Sequence, residues 1–397
     1  MNRPIGPRVF VLDALGRLPE EVALAHACEQ AGMRATATAT PAAAATWPRL
    51  TAALRARGAA AVLVMADAPA PASTPTPTSA TASTSAPAPH CHWLDAAHAR
   101  GWVLPQAGTD IDADHLAAAW QAQLARGHVP ADAALLAWSA LPLLSWLSGG
   151  DPPGGMSTPP VSARCATDPP LGLYAIAGDA AALRSVLQAG VRTVQLRIKR
   201  PADADAAWTA ALRDAVRDSL AAADGHGALL FINDHWRLAT ELGARAVHLG
   251  QEDLLALDER GRAELRASGL GLGVSSHAVW ELCRARSLAP QYIACGPVWP
   301  TTTKDMPWRP QGLDNLAWWC RVATAPVVAI GGILTPEQVR QTAAAGASGV
   351  CVLRGLGSDP QRTVAALQQA FEQGRQAALA DAGQPVGQMH PTLGRAA

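Results

Sequence analysis

Residues 193–232 read TVQLRIKRPADADAAWTAALRDAVRDSLAAADGHGALLFI. Two short apolar runs, at 193–197 and 229–232, flank an Ala- and Leu-rich segment at 204–223 that has a helical pattern. Runs that are apolar on successive residues suit strands buried on both faces, as in a parallel sheet. The stretch therefore predicts a strand–helix–strand unit of the kind that joins parallel strands.

The same unit recurs along the C-terminal part of the chain. Eight apolar runs are present, at 171–177, 193–197, 229–232, 246–249, 270–275, 292–295, 326–330 and 349–353. Further helical patterns lie between them, for example at 280–288 and 335–345. Eight such units in succession favour a compact (β/α)8 barrel over its main rival, a doubly wound open sheet.

Two segments of biased composition divide the chain. Residues 68–89 are almost only Ala, Pro, Ser and Thr, which predicts a disordered insert. Residues 149–170 are rich in proline and glycine and are interpreted as a linker. We therefore expect a small N-terminal α/β domain at 1–148, the linker, the barrel at 171–378 and a tail at 379–397. In the N-terminal domain, strands are predicted at 8–12 and 59–65, and helices at 19–32, 112–126 and 131–147.

Composition excludes several classes of function. The 397 residues contain 32 Lys and Arg and 32 Asp and Glu, so the formal net charge is zero and a broad nucleic-acid surface is not expected. The sequence contains no apolar run of about 18 residues, so no membrane span is predicted. The seven cysteines lack paired spacing, which together with the absence of a signal-peptide pattern predicts a cytoplasmic location. The expected partners are small molecules, with no nucleic acid and no membrane, and assembly into a homo-oligomer is left open.

Polar residues follow the predicted strands at their C-terminal ends, where the active sites of such barrels lie. Gln195, Arg197 and Lys199 alternate onto one face at the end of the second run and just beyond it. They suit a phosphate or pyrophosphate, although a solvated strand end is the alternative. Asp234 and Asp253, on adjacent loops, can share one Mg²⁺. Each aspartate could instead cap the following helix.

The later loops predict a second anion site. A long polar loop with Thr301, Thr303 and Lys304 follows the sixth run, and Gly331-Gly332 ends the seventh. The eighth run ends at Leu353-Arg354, and loops after strands seven and eight commonly bind phosphate in these barrels. Two anion sites in one barrel predict a transferase that joins two phosphorylated molecules.

Two further polar residues lie at the end of the fifth run and just beyond it. Ser275 either hydrogen-bonds a substrate ring or caps a helix. His277 is expected to be a structural or rim residue rather than a catalytic base.

The ordered set of motifs resembles the thiamine-phosphate synthase family over about residues 171–375. The resemblance rests on VQLRxK at 194–199, IND at 232–234, VHLGQED at 247–253, GVS at 273–275, GPVxPTxTK at 296–304 and AIGGI at 329–333. That family is a magnesium-dependent transferase of thiamine biosynthesis. It couples 4-amino-2-methyl-5-hydroxymethylpyrimidine diphosphate to a thiazole phosphate, giving thiamine phosphate and pyrophosphate.

The resemblance also implies roles for individual residues. Asp234 and Asp253 match the Mg²⁺ ligands, and Ser275 matches a residue beside the pyrimidine. The matches to the diphosphate-binding residues are Gln195, Arg197, Lys199, Asn233 and Lys304. The matches to the thiazole-phosphate site are Thr301, Thr303, Gly332 and the loop that follows Leu353, where Arg354 replaces a frequent serine. Arg197, Lys199, Lys304 and Ser275 are expected to act in catalysis.

Two alternatives and one fainter resemblance remain. The alternative functions are a thiazole tautomerase-like isomerase and a non-catalytic sensor of thiamine intermediates. In the N-terminal domain, Gly108-Thr109-Asp110 before a helix faintly resembles the end of hydroxymethylpyrimidine phosphate kinase. That family has Gly-Thr-Gly at this point, so the resemblance implies an inactive remnant.

Overall fold

The computed structural model describes residues 9–12, 34–35, 47–56, 59–65, 91–105, 113–145, 170–302, 307–380 and 387–393. The chain divides into two compact units, one of Met1–Pro160 with Gly394–Ala397 and one of Val161–Leu393. The predicted insert at 68–89, the predicted helix at 19–32 and positions 149–169 of the predicted linker lie outside the described residues.

The described part of the N-terminal unit forms a mixed six-stranded sheet with helices, in line with the predicted α/β class. Its strands are β1 (Val9–Leu12), β2 (Arg34–Ala35), β3 (Ala61–Val64), β4 (His92–Ala96), β5 (Arg100–Leu104) and β6 (Leu143–Ser145). Its helices are α1 (Trp47–Ala56), α2 (Ala113–Ala125) and α3 (Pro130–Leu136). The strand order is β2-β1-β3-β4-β5-β6, with β2, β1 and β3 parallel and the remaining pairs antiparallel.

The helix predicted at 131–147 is wrong in its second half. Helix α3 ends at Leu136, and the chain then adds β6 to the sheet, where Leu144 pairs with Val103. Pro142 lacks the N–H that a continuing helix needs, and the free edge of β5 offers hydrogen bonds to the two leucines that follow it. Pairing in the sheet therefore overrides the helical propensity of this segment.

Eight parallel strands form a closed barrel in the C-terminal unit. They are β7 (Gly172–Ala177), β8 (Thr193–Leu196), β9 (Leu229–Asn233), β10 (Ala246–Leu249), β11 (Gly271–Ser276), β12 (Tyr292–Cys295), β13 (Val327–Ala329) and β14 (Gly349–Val352). Each strand pairs with the next along the chain, and β14 pairs with β7 to close the ring. The closure confirms the predicted barrel and excludes the open sheet.

Helices follow the barrel strands along the chain. They are α4 (Ala180–Gln188), α5 (Ala206–Gly225), α6 (Trp236–Glu241), α7 (Gln251–Ala256), α8 (Glu259–Ala267), α9 (Val279–Arg286), α10 (Gly312–Val322), α11 (Pro336–Ala344) and α12 (Pro360–Ala380). The starts of α4, α5 and α8 are fixed by Asp179, Asp205 and Asp258, whose carboxylates accept backbone N–H groups that have no partner inside the helix. None of the described helices combines the length and apolarity needed to span a bilayer.

Aromatic side chains fill the barrel interior. Tyr174, Phe231 and Tyr292 are at most 1% exposed, and the ring of Tyr292 meets those of Phe231 and Tyr174 edge to face, at centroid distances of 4.9 and 5.6 Å. Gly273 on β11 makes room for them, because a Cβ there would lie 2.4 Å from the Tyr292 ring. The candidate functional residues lie above this aromatic layer, which is called the floor of the cavity below.

Candidate active site

A cavity of about 270 Å³ lies at the carboxyl ends of the barrel strands. Eleven of the thirteen candidate residues line it, namely Gln195, Arg197, Lys199, Asn233, Asp234, Asp253, Ser275, Thr301, Gly332, Leu353 and Arg354. The other two, Thr303 and Lys304, lie outside the described residues. The motifs quoted from the sequence thus converge from all parts of the barrel on one site, which is what the closed ring of parallel strands requires.

Asp234 and Asp253, the acidic pair, lie at one side of this cavity. Asp234 follows β9 in a left-handed conformation with φ of 64°, and its backbone N–H donates to the carbonyl of His248 at 3.0 Å. Its carboxylate forms an ion pair with Lys199 rather than capping a helix. Asp253 does cap, since its Oδ2 accepts the N–H of Gly250 at 3.0 Å.

The environment of the acidic pair suits a divalent cation. Burial raises the pKa of the Asp253 carboxyl, and the charge of neighbouring Asp234 raises it further. Two carboxylates held this close repel each other unless a cation or a proton lies between them. The described residues contain no group of three or more His, Cys, Asp or Glu side chains that could hold a metal. Two carboxylates nevertheless suffice for Mg²⁺ when substrate phosphate and water complete its shell.

Donors surround the acidic pair. Arg197 and Lys199 extend from the end of β8, on the same side as Gln195, as strand alternation predicts. Asn233 is 4% exposed and lines the cavity, and its Nδ2 has no hydrogen-bond partner within the described residues. Because an unsatisfied buried amide is costly, this donor fits a ligand that brings an acceptor.

A buried chain of hydrogen bonds crosses the floor of the cavity. Gln195 Nε2 donates to the Tyr174 hydroxyl at 3.0 Å, which lies 2.9 Å from the hydroxyl of Tyr292. Tyr292 contacts His248 Nδ1 at 2.6 Å, and His248 Nε2 contacts Ser275 Oγ at 2.8 Å. Burial lowers the pKa of His248 to about 4, so the imidazole is neutral, with one donor and one acceptor.

The amide of Gln195, which donates at one end, determines which group donates in each of these hydrogen bonds. Tyr174 already accepts from Gln195, so its own hydrogen is satisfied only by donating to Tyr292. Tyr292 then donates to His248, and His248 donates through Nε2 to Ser275. Ser275 therefore keeps its hydroxyl hydrogen for a ligand, and it does not cap a helix.

Glycines shape the opposite side of the cavity. Gly331 and Gly332 have φ of 92° and 73°, and a Cβ on Gly332 would lie 2.6 Å from Trp299 Cβ. The loops after β12 and β13 thus approach too closely for any side chain at this point. Arg354 adds a cation beside them, and its Nη1 donates to Thr302 Oγ1 at 3.1 Å.

His277 and Trp308 form an aromatic wall of the same cavity. Their rings stack at a centroid distance of 5.3 Å with an interplanar angle of 8°. The N–H of His277 donates to Glu281 Oε2 at 2.6 Å, and its ring Nδ1 lies 3.0 Å from the same oxygen. The expectation that His277 is structural or on the rim fits this fixed position. Glu281 was not among the residues predicted from the sequence, and neither His248 nor Trp308 was given a role. Glu281 lies in the first turn of α9, where an acidic side chain can accept the backbone N–H groups that precede the helix.

Comparisons with known proteins identify one family. The family model described as thiamine monophosphate synthase matches residues 173–356. The chain is 43% identical over 206 residues to a thiamine-phosphate synthase of Neisseria meningitidis serogroup A, covering 51% of this chain and 96% of the relative. It is also 43% identical over 189 residues to a thiamine-phosphate synthase of Rhizobium etli, covering 47% of this chain and 87% of the relative.

Among solved structures, a thiamine phosphate pyrophosphorylase from Pyrococcus furiosus matches with 26% identity and a TM-score of 0.44. This match covers 51% of this chain and 96% of that chain. The motifs, the closed barrel and the identity to curated relatives over nearly their full length lead to one conclusion: this chain belongs to the thiamine-phosphate synthase family.

Proposed function

We propose that the C-terminal barrel couples the pyrimidine diphosphate to the thiazole phosphate, forming thiamine phosphate and releasing pyrophosphate. One observation carries this proposal. An acidic pair and two cations lie at one side of the cavity, together with the Asn233 Nδ2, which has no partner among the described residues. A glycine-lined backbone site with Arg354 lies at the other side. This arrangement suits one substrate with a diphosphate and a second with a single phosphate.

Asp234 and Asp253 are the residues that would hold Mg²⁺. Their oxygens are the ligand type this hard cation prefers, and their mutual closeness and the raised pKa of Asp253 fit a site that gains from added positive charge. When bound, Mg²⁺ supplies positive charge to the diphosphate as it departs. Lys199 already pairs with Asp234 and would turn to the diphosphate when the cation is present.

The chain's own donors stabilise the leaving group. Arg197 presents a planar fork that matches two phosphate oxygens, Lys199 offers a mobile ammonium, and Asn233 offers its free amide hydrogens. Lys304, which lies outside the described residues, is proposed as a third cation. Because the leaving group carries the developing charge, fixed donors aimed at it lower the barrier more than donors aimed at the rest of the substrate.

Positioning completes the proposed mechanism. Ser275, with its hydroxyl hydrogen unused, would bind a pyrimidine ring atom, while Gln195 anchors the hydrogen-bonded chain behind it. Thr301, Thr303, Gly332, Leu353 and Arg354 would hold the thiazole phosphate through hydroxyl and backbone donors. The thiazole nitrogen then has only to be kept in line with the carbon that loses pyrophosphate.

No side-chain nucleophile is needed for this substitution. The barrel's buried thiols are consistent with that, because burial raises the pKa of Cys351 and of Cys295 and keeps both protonated. An isomerase acting on the thiazole alone would have no diphosphate to use the set formed by Arg197, Lys199 and the acidic pair. That set therefore favours the synthase.

The test is product formation by the purified full-length chain. The chain is supplied with both phosphorylated precursors, with Mg²⁺ or with a chelator, and thiamine phosphate is measured. The proposal expects product with the metal and none without it. Isomerisation of the thiazole phosphate alone, with no coupling, would replace the synthase by the isomerase, and binding of precursors without turnover would leave only the sensor.

A further inference from the structure

The C-terminal segment, residues 387–393, folds back against the barrel next to the start of α10. His390 N–H donates to Asn315 Oδ1 at 2.8 Å, and Asn315 Nδ2 donates to the carbonyl of His390 at 3.0 Å. Arg309 N–H donates to the carbonyl of Thr392 at 2.8 Å. Met389 and Thr392 are only 2% and 1% exposed. The segment is thus bound through its backbone and not merely laid on the surface.

The same contacts continue to the cavity. The His390 ring donates through Nε2 to the carbonyl of Gln311 at 2.9 Å. Gln311 is fully buried, and its Nε2 donates to the carbonyl of His277 at 2.8 Å, while its N–H donates to the carbonyl of Pro297 at 2.7 Å. Trp308 lies three residues before Gln311 and stacks on His277. The C-terminal segment therefore binds residues 309–315, the stretch of chain that positions Trp308 against His277.

We propose that the C-terminal segment is a positioning element of the active site, which keeps Trp308 stacked on His277 so that this pair forms a flat surface for the pyrimidine ring. His277 lies two residues after Ser275, on the same side of the end of β11, which places the aromatic wall beside the hydroxyl assigned to the pyrimidine. A planar heteroaromatic ring gains from a fixed aromatic surface beyond the burial of its area. This inference rests on the proposed function.

Truncation of the full-length chain tests it. A chain ending at Val386 lacks the segment, and a matched chain ending at Leu393 keeps every contact named above. We expect the shorter chain to show a KM for the pyrimidine diphosphate raised about tenfold, with a smaller change for the thiazole phosphate. Trp308→Leu should raise this KM by the same factor. Trp308→Phe, which keeps an aromatic ring, should have a KM close to the wild-type value.

A double variant separates positioning from general damage. If the segment acts through Trp308, truncation combined with Trp308→Leu should be no worse than Trp308→Leu alone, since both remove the same surface. His390→Ala deletes one half-buried side chain and should show the same pattern in smaller measure, which keeps the test available should the truncated chain fail to fold. Unchanged KM in the truncated chain, or in His390→Ala, or additive losses in the double variant, would overturn the inference.

Hydrogen exchange tests the same contact without turnover. Backbone amides of residues 307–316 should exchange faster in the chain ending at Val386 than in the chain ending at Leu393. Equal exchange would contradict the inference even in an active enzyme. Faster exchange in a protein that forms no product would uphold the contact and locate the failure in the proposed function instead.

Discussion

Asp234 adopts a backbone conformation that residues with a Cβ rarely take, with φ of 64°. Aspartate tolerates this region better than most residues, and the bond from its N–H to the carbonyl of His248 holds it there. The consequence is that the carboxylate faces Asp253 and Lys199 instead of the start of α6. Strain at such a position is characteristic of residues whose placement serves a site.

Asp234→Asn keeps the shape of this side chain and removes its charge. We expect kcat/KM for coupling to fall by about 10²-fold or more, with a higher Mg²⁺ concentration needed for half-maximal rate, because the proposed Mg²⁺ site loses one of its two carboxylates. The matched control is Asp218→Asn, whose side chain is 61% exposed and pairs with Arg184 on the barrel exterior. Equal activity in the two variants would remove Asp234 from the metal site.

Gly273→Ala tests the floor of the cavity. The added methyl would lie 2.4 Å from the Tyr292 ring, so Tyr292 must move and its bond to His248 is disturbed. We expect a loss of about 1–3 kcal/mol in the free energy of unfolding, together with reduced coupling. Gly225→Ala in α5 meets no atom within 4 Å and should be neutral or stabilising, and denaturant unfolding of both variants gives the comparison.

Side-chain roles were predictable from the sequence only where a motif fixed the position. Strand alternation placed Gln195, Arg197 and Lys199 together, and the structure has all three on the cavity. The sequence left open whether Asp253 caps a helix or faces a ligand. In the structure one of its carboxylate oxygens caps the helix, while the carboxyl group still neighbours Asp234. The buried chain through Tyr292 was beyond prediction because its members are distant in sequence and meet only when the barrel closes.

The loops after β12 and β13 pack closely against each other. Gly332→Ala would place a Cβ 2.6 Å from Trp299 Cβ and 2.7 Å from its carbonyl oxygen. We expect KM for the thiazole phosphate to rise by at least about tenfold, because the backbone donors of this loop move. Steady-state kinetics with each substrate varied in turn gives the measurement.

Gly227→Ala is the matched control for this loop. Its φ of 60° imposes the same backbone penalty of about 1 kcal/mol, but no atom lies within 4 Å of the added methyl. It should lower stability without changing either KM. A rise in KM of the thiazole phosphate in both variants would show that general destabilisation, not the loop, is responsible.

The strands were more predictable than the connections between them. Residues 246–249 and 292–295 were predicted as strands and are β10 and β12, since short, mainly apolar runs are typical of buried strands in a parallel barrel. The pair of short helices α7 and α8 was not foreseen, and neither was the packing of residues 387–393. The packing of residues 387–393 depends on tertiary contacts, such as the bonds of His390 to Asn315, that leave no periodic pattern in the sequence.

The candidate site lies within one of the two compact units of the chain. Every described residue assigned to the cavity falls within Val161–Leu393, and the curated relatives at 43% identity match over about half of this chain. We therefore expect a chain of residues 161–397 to retain kcat and both KM values within about twofold. A loss of turnover in a folded barrel would instead assign a catalytic contribution to the N-terminal unit.

The N-terminal unit keeps an open role. Its described part is a mixed sheet with a tryptophan-rich core, in which Trp93 and Trp102 meet edge to face at 5.0 Å. The Gly108-Thr109-Asp110 motif lies outside the described residues, so the relation to a kinase stays a prediction. Its domain boundaries, including the linker at 149–170, likewise remain predictions that limited proteolysis would test.

The stoichiometry of the two products tests whether the barrel catalyses the proposed coupling. Full-length chain, both precursors and Mg²⁺ are combined, and thiamine phosphate and pyrophosphate are quantified over time in the same samples. The proposed chemistry requires one pyrophosphate for each thiamine phosphate, with neither formed when the thiazole phosphate or the metal is omitted. A folded protein that forms neither product, or that releases pyrophosphate at the same rate without the thiazole phosphate, would contradict it.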